Sequence, residues 1–223
     1  MGGVRSMDDY AFGKAWKMAK KQHILETAFT LFSERGIESV TVPEIAEVCG
    51  VGRATVYRYF ATKMDLVVAV GTWKWEAYID AHDVSLPPET LESMTGAGLL
   101  RFYLDAFLDL YRNHRDILRF NYGFNSYLQH GAGSSEQKRP YMAVAGHLAE
   151  RFHELYEKGR ADGTLNTQIS EEEMFSSSFH IMLAAVSRYA VGLVYIPEHG
   201  VDPESELIML EELLLSRFIK QQL

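Results

Sequence analysis

The sequence predicts an all-α fold: a small head of three helices containing a helix-turn-helix, joined to a larger helical body, with about nine helices in all. Three observations support this. Apolar residues recur at helical spacing over most of the 223 residues, and nothing alternates with period two for long enough to make a sheet. Capping boxes and Gly- or Pro-containing breaks cut the chain into helix-sized pieces. The charge is also divided. Residues 1–63 hold nine Lys+Arg against seven Asp+Glu, and residues 64–223 hold thirteen against twenty-three, within a net charge of −8. A basic head on an acidic body confines attraction for phosphate to one end. The expected division is a basic head over 1–63, ordered from about residue 15, and a larger acidic body over 64–223.

Each element has a local reason. Ile24, Leu25, Ala28, Leu31 and Phe32 line one face of a first helix over Ala15–Arg35, which Gly36 ends in the left-handed conformation with Ile37 folding back. Thr41-Val42-Pro43-Glu44 reads as a capping box with proline in the first turn, opening a short second helix whose inner face is Ile45, Ala46 and Val48. Gly50-Val51-Gly52 makes a turn, and a third helix runs from about Arg53 to Phe60. Thr62-Lys63-Met64-Asp65 is a second box, starting a fourth helix that runs to about Ala81. After the break at Pro87-Pro88, helices are expected over 89–113, 116–127, 139–162, 171–195 and 203–221. Between them, 131–135 is the expected disordered loop, and Asp162-Gly163, Ile196-Pro197 and His199-Gly200 mark turns.

The single cysteine, Cys49, excludes a disulfide framework and a Cys-pair zinc site, and is expected as a buried small hydrophobe. No stretch approaches the roughly 18 apolar residues of a membrane span, and Met1–Asp9 lacks a signal-peptide core, so a soluble cytoplasmic protein with no membrane partner is expected. There is no His-x-x-x-His, phosphate loop or Gly-x-Ser-x-Gly, so no catalytic residue, metal or cofactor is assigned. Asp105 with Asp109 is a polar helix face, and Glu171–Glu173 is an acidic first turn favoured by the helix dipole.

The third helix carries the chemistry. Val56 and Phe60 seat it. The opposite face presents Ala54, Thr55 and Arg58, flanked by Arg53, Tyr57 and Tyr59, with no acid among them. Arginine can pair bidentately with guanine edges, and hydroxyls can meet bases or phosphates. Thr41 and Lys63, at the starts of the flanking helices, are placed to clamp phosphates. An ordinary solvated face would use the same residue types, so the weight lies in the whole pattern.

That pattern resembles the TetR family of bacterial transcriptional regulators. The likeness rests on Ala28-Phe29-x-Leu31-Phe32, Gly36, Val40-Thr41-Val42, Ile45-Ala46, Gly50-Val51, Thr55-Val56-Tyr57-Arg58-Tyr59-Phe60 and Lys63, and in outline on Gly159–Leu165, which looks like the turn before the penultimate helix. Gly52, where Ser or Asn is frequent, and Pro43 depart from the common form. The resemblance implies an all-helical homodimer that binds double-stranded operator DNA and usually represses until a small molecule enters the body. The helix around Met174–Val194, apolar on more than one face, and the last helix with Leu207, Leu210, Leu213, Leu214 and Phe218 are the expected dimer surface, although a central core helix would read the same way. Tyr103, Phe107, Phe124, Tyr127, His147 and Phe179 are the candidate effector contacts within an aromatic stripe that a plain core would also show. A helical scaffold, or a regulator with no internal cavity, is the alternative.

Overall fold

The computed structural model describes residues 7–131, 133–193 and 202–220, with 7–13 as backbone only. Among these residues there are ten helices and no strand: α1 (Met7–Arg35), α2 (Val42–Val48), α3 (Arg53–Tyr59), α4 (Lys63–Asp83), α5 (Pro88–Ser93), α6 (Gly96–Asn113), α7 (Arg115–His130), α8 (Ser135–Ala161), α9 (Glu171–Ala190) and α10 (Pro203–Phe218). The extra element comes from the expected helix over 89–113. It divides at Met94, where extended backbone lets Thr95 cap α6 by accepting from the Gly98 amide. Several boundaries move, including the ends of α7 and α10, which fall at His130 rather than Tyr127 and at Phe218 rather than Gln221. α1 begins at Met7 rather than Ala15. α4 runs on to Asp83. α8 begins at Ser135 rather than 139, because Ser134 and Gln137 form a capping box and Pro140 falls inside the helix. α9 stops at Ala190 instead of Tyr195, where Gly192 takes φ 77°. The expected disordered loop at 131–135 is therefore short, with Ala132 outside the described residues. The turns at Ile196-Pro197 and His199-Gly200 lie outside them too.

Helices α1–α3 enclose a core of Ile24, Ala28, Phe32, Ile45, Ala46 and Val56, each almost wholly buried. Val48, expected on that core, is instead 62% exposed. The inner stripe of α2 is Val42, Ile45, Ala46 and Cys49, and Val48 falls roughly 110° away from it at 100° per residue. Cys49 is a buried small hydrophobe as expected, and burial pushes its thiol up.

The head is joined to the body by aromatic rings. Phe29 and Phe32 of α1 meet Phe120 of α7 at 5.7 and 6.4 Å; Phe120 stacks on Phe124 at 5.0 Å, and Phe124 meets Tyr141 of α8 edge-on at 4.7 Å. Offset and edge-on ring pairs of this kind add about 0.5–1.5 kcal/mol each beyond burial. Gly71 of α4 lies under this ladder, since a Cβ there would come within 2.5 Å of the Phe124 ring. The Gly159–Leu165 turn anchors the start of α6, because Asp162 and Thr164 accept the Gly96 and Ala97 amides that open that helix, at 2.8 and 3.0 Å. Gly96 also rests directly on the Gly159 backbone, with no room for a Cβ between them.

Candidate nucleic-acid interface and body cavity

The turn between α2 and α3 is built from backbone. Gly50 takes φ 65°, and the Val51 amide donates to the Ala46 carbonyl at 2.9 Å, folding α3 across α2. Val56 is fully buried and Phe60 nearly so, which fixes the rotation of α3 about its axis. Arg53, Ala54, Tyr57 and Arg58 consequently lie exposed on the side away from the core, with Thr55 half-buried beside them. Arg53 and Tyr57 have no partner among the described residues, and Arg58 lies over the Tyr59 ring at 5.6 Å. An exposed, acid-free surface carrying two guanidinium groups on a helix seated from behind can enter a major groove.

Three of the sequence-predicted contacts are tied up within the protein. Tyr59 is half-buried, and its hydroxyl donates to the Lys17 carbonyl at 3.3 Å, so it holds α3 against α1. Thr41 donates both its amide and its hydroxyl to the Glu44 carboxylate, at 2.7 and 2.8 Å, and this capping box makes it a positioning group for α2. Those bonds, with Arg35 at 2.9 Å, hold the Glu44 carboxyl down to about 2. Lys63 is half-buried: its ammonium donates to the Glu38 carbonyl at 3.4 Å and lies 5.7 Å from the Tyr127 ring. Burial lowers its pKa, partly opposed by Glu38 and Glu44.

The starts of α4 and α8 are clasped together. Gln137, the third residue of α8, donates to Thr62 Oγ1 at 3.3 Å and Asp65 Oδ1 at 2.8 Å, and these two residues form the capping box of α4. Only Ala61 separates that box from Phe60, the cap of α3. Further along, Arg151 of α8 faces Asp83, the last residue of α4, as an ion pair.

Around this second clasp lies a cavity of about 70 Å³, walled by α4, α6, α8 and α9. Tyr103, Phe107 and Phe179 line it, together with Trp75, Tyr78, His82 and Arg151, which sequence reasoning does not single out as ligand contacts. Burial pushes the Tyr103 hydroxyl up and the His82 imidazole down, so both are held neutral near pH 7. The other three expected effector contacts lie elsewhere. Phe124 is fully buried in the aromatic ladder, Tyr127 lies beneath Lys63, and His147 is exposed on the outer face of α8. The signal that could have found Arg151 is its place in the apolar stripe Leu148, Phe152 and Leu155, where a charge is costly without a partner. Among the described residues, no cluster of three or more His, Cys, Asp or Glu could hold a metal ion, and no helix is long and apolar enough to cross a membrane.

Head and body together define the class of fold: a helix-turn-helix head on a helical body that encloses a cavity. Residues 24–70 match the family described as bacterial regulatory proteins, tetR family. The chain is 46% identical over 46 residues to the HTH-type transcriptional regulator AcrR of Shigella flexneri, covering 21% of each chain. YerO of Bacillus subtilis is 27% identical over 101 residues, covering 44% of this chain and 34% of that one. The chain thus spans about a fifth to a third of the curated relatives it matches. The whole fold is similar to a regulator from Saccharomonospora viridis solved with choline, with a TM-score of 0.71, 15% identity and coverage of 90% and 98%. It is likewise similar to FadR from Bacillus subtilis solved with stearoyl-CoA, with a TM-score of 0.66, 17% identity and coverage of 88% and 98%.

Proposed function

We propose that the chain is a sequence-specific transcriptional regulator, a repressor that leaves a palindromic operator when a small molecule enters its body. In this reading 1–63 is the DNA-binding head and 64–223 the sensing and pairing body, acting in the cytoplasm without catalytic activity. The observation that carries it is the α3 face: Arg53, Ala54, Tyr57 and Arg58 lie exposed behind a buried Val56. Arg53, Ala54, Thr55 and Arg58 read bases, and Tyr57 binds phosphate. Thr41, Tyr59 and Lys63 act by holding that face in place.

Homodimerisation through the last two helices is supported by large apolar side chains exposed on both of them. Ile181 of α9 and Met209 and Leu213 of α10 are 40, 56 and 58% exposed. Two-fold pairing would set two α3 helices about 34 Å apart or further, matching a palindrome. Coupling runs through α4. Its start is clasped to α8 by Gln137 and its end by Arg151, so an effector that shifts α8 tilts α4 and the α3 cap next to it. That FadR and the S. viridis regulator were solved with bound small molecules supports a ligand-holding body. Selection of bound DNA from a random pool tests the proposal: a palindrome is expected, and recovery of no preferred site overturns it.

A further inference from the structure

The cavity between α4 and α8 holds one enclosed hydrogen-bond donor without a partner among the described residues and one guanidinium held by a single carboxylate. Trp75 is 8% exposed, and its indole N–H is enclosed without a hydrogen-bond partner among the described residues. Arg151 Nη1 is also enclosed, and it is held by Asp83 in a close, hydrogen-bonded ion pair. Both residues line the same, otherwise apolar and aromatic cavity. An enclosed donor without an acceptor is destabilising, and a ligand oxygen would recover that loss. Besides the neutral His82 ring and the Tyr103 hydroxyl, the side-chain acceptors of the wall are already engaged. The Tyr78 hydroxyl is engaged with the Ala106 carbonyl and Asp109, and the sole acidic residue in the lining is Asp83, already opposite Arg151.

We propose that this cavity receives an amphiphile with a carboxylate head, whose oxygens take the Trp75 N–H and draw Arg151 away from Asp83. The inference rests on the reading above that the body binds an effector, and it names the chemical class. A cationic amphiphile fits less well. Asp105 and Asp109 face the neighbouring groove beyond Tyr78 and His82, so inside the cavity a cation would meet Arg151 with no free carboxylate. The apolar remainder of the ligand lies against Phe107, Phe152 and Phe179. The exchange has a mechanical result. Asp83 ends α4 and Arg151 sits on α8, so a carboxylate that replaces Asp83 opens the far clasp between these helices.

The test is titration calorimetry on the intact chain, without DNA, using decanoate, decanol and decyltrimethylammonium below their micellar concentrations. Decanoate is expected to bind about tenfold tighter than decanol, the advantage of a charge-assisted pair, and the cation weakest. Arg151→Gln should abolish the decanoate advantage and leave decanol unchanged. Asp83→Asn should act in the opposite direction, tightening decanoate several-fold, because it removes the competitor for Arg151. Equal binding of decanoate and decanol, tightest binding of the cation, absence of decanoate binding, or weakening by Asp83→Asn would each overturn the proposal. Because no DNA is present, the result is separable from the regulator reading. A failed DNA selection leaves the carboxylate site standing, and a palindrome recovered alongside the wrong ligand order removes the carboxylate site alone.

Discussion

Glu211 of α10 is 3% exposed, and its Oε1 accepts no hydrogen bond. Burial, reinforced by the neighbouring Asp105 and Glu212 and opposed by Arg101 at 3.8 Å, pushes its carboxyl up to about 7 from an ordinary 4.5. The folded protein therefore binds this proton more tightly than the unfolded chain does. The resulting stability is fully present below about 4.5 and is lost as pH rises through about 7. At 1.36 kcal/mol per pKa unit, ionised Glu211 costs at most about 3 kcal/mol at pH 8. Glu211→Gln keeps the shape and removes the charge. Thermal unfolding followed by circular dichroism should show the variant melting roughly 6–12 °C higher than the parent at pH 8 for a chain of this size, with the gap closing by pH 5. Other titrating groups are common to both proteins, so the difference between their curves isolates Glu211. A gap that is the same at pH 5 and pH 8 would refute the reasoning.

Three further outcomes follow from the geometry. Arg53→Ala should cost about 1–3 kcal/mol at the selected operator and relax preference at one base, read by gel shift; unchanged affinity removes Arg53 from the reading face. Gln137→Ala breaks the clasp to Thr62 and Asp65, and should lower stability in urea by about 1 kcal/mol while weakening operator binding from off the DNA face. Unchanged operator affinity would show that α8 does not steer α3. Gly71→Ala forces a Cβ to within 2.5 Å of the Phe124 ring and should cost about 1–3 kcal/mol in urea unfolding, with Phe124→Leu relieving part of the loss.

The head is legible in the sequence because its determinants are local. Capping at Thr41 and Thr62, the left-handed Gly36 and Gly50 and the spacing of Val56 from Phe60 each act within a few residues, so reading along the chain recovers them. Val48 misleads for a related reason: in a helix of seven residues, one more apolar side chain fits the wrong stripe as easily as the right one. The breaks at Met94 and Gly192 carry weaker signals, because neither residue stands in an obvious turn cluster.

The cavity cannot be read this way. Phe107, Phe124 and Phe179 look alike in the sequence. Only the crossing of α4, α7 and α8 places Phe124 in the ladder above Gly71 and leaves the other two facing open space. Residues such as Tyr59 and Lys63 also have the composition of DNA contacts, yet Lys17, Glu38 and Tyr127, brought in by α1, the α1–α2 turn and α7, decide what they touch. The helices, the turn and the outward face of α3 were written into short stretches of sequence, since a 3.6-residue period and a glycine's positive φ are properties of short segments. Which donors are left without acceptors, and which end of α4 is clasped to what, came from tertiary packing alone, because burial and pairing depend on residues dozens of positions away.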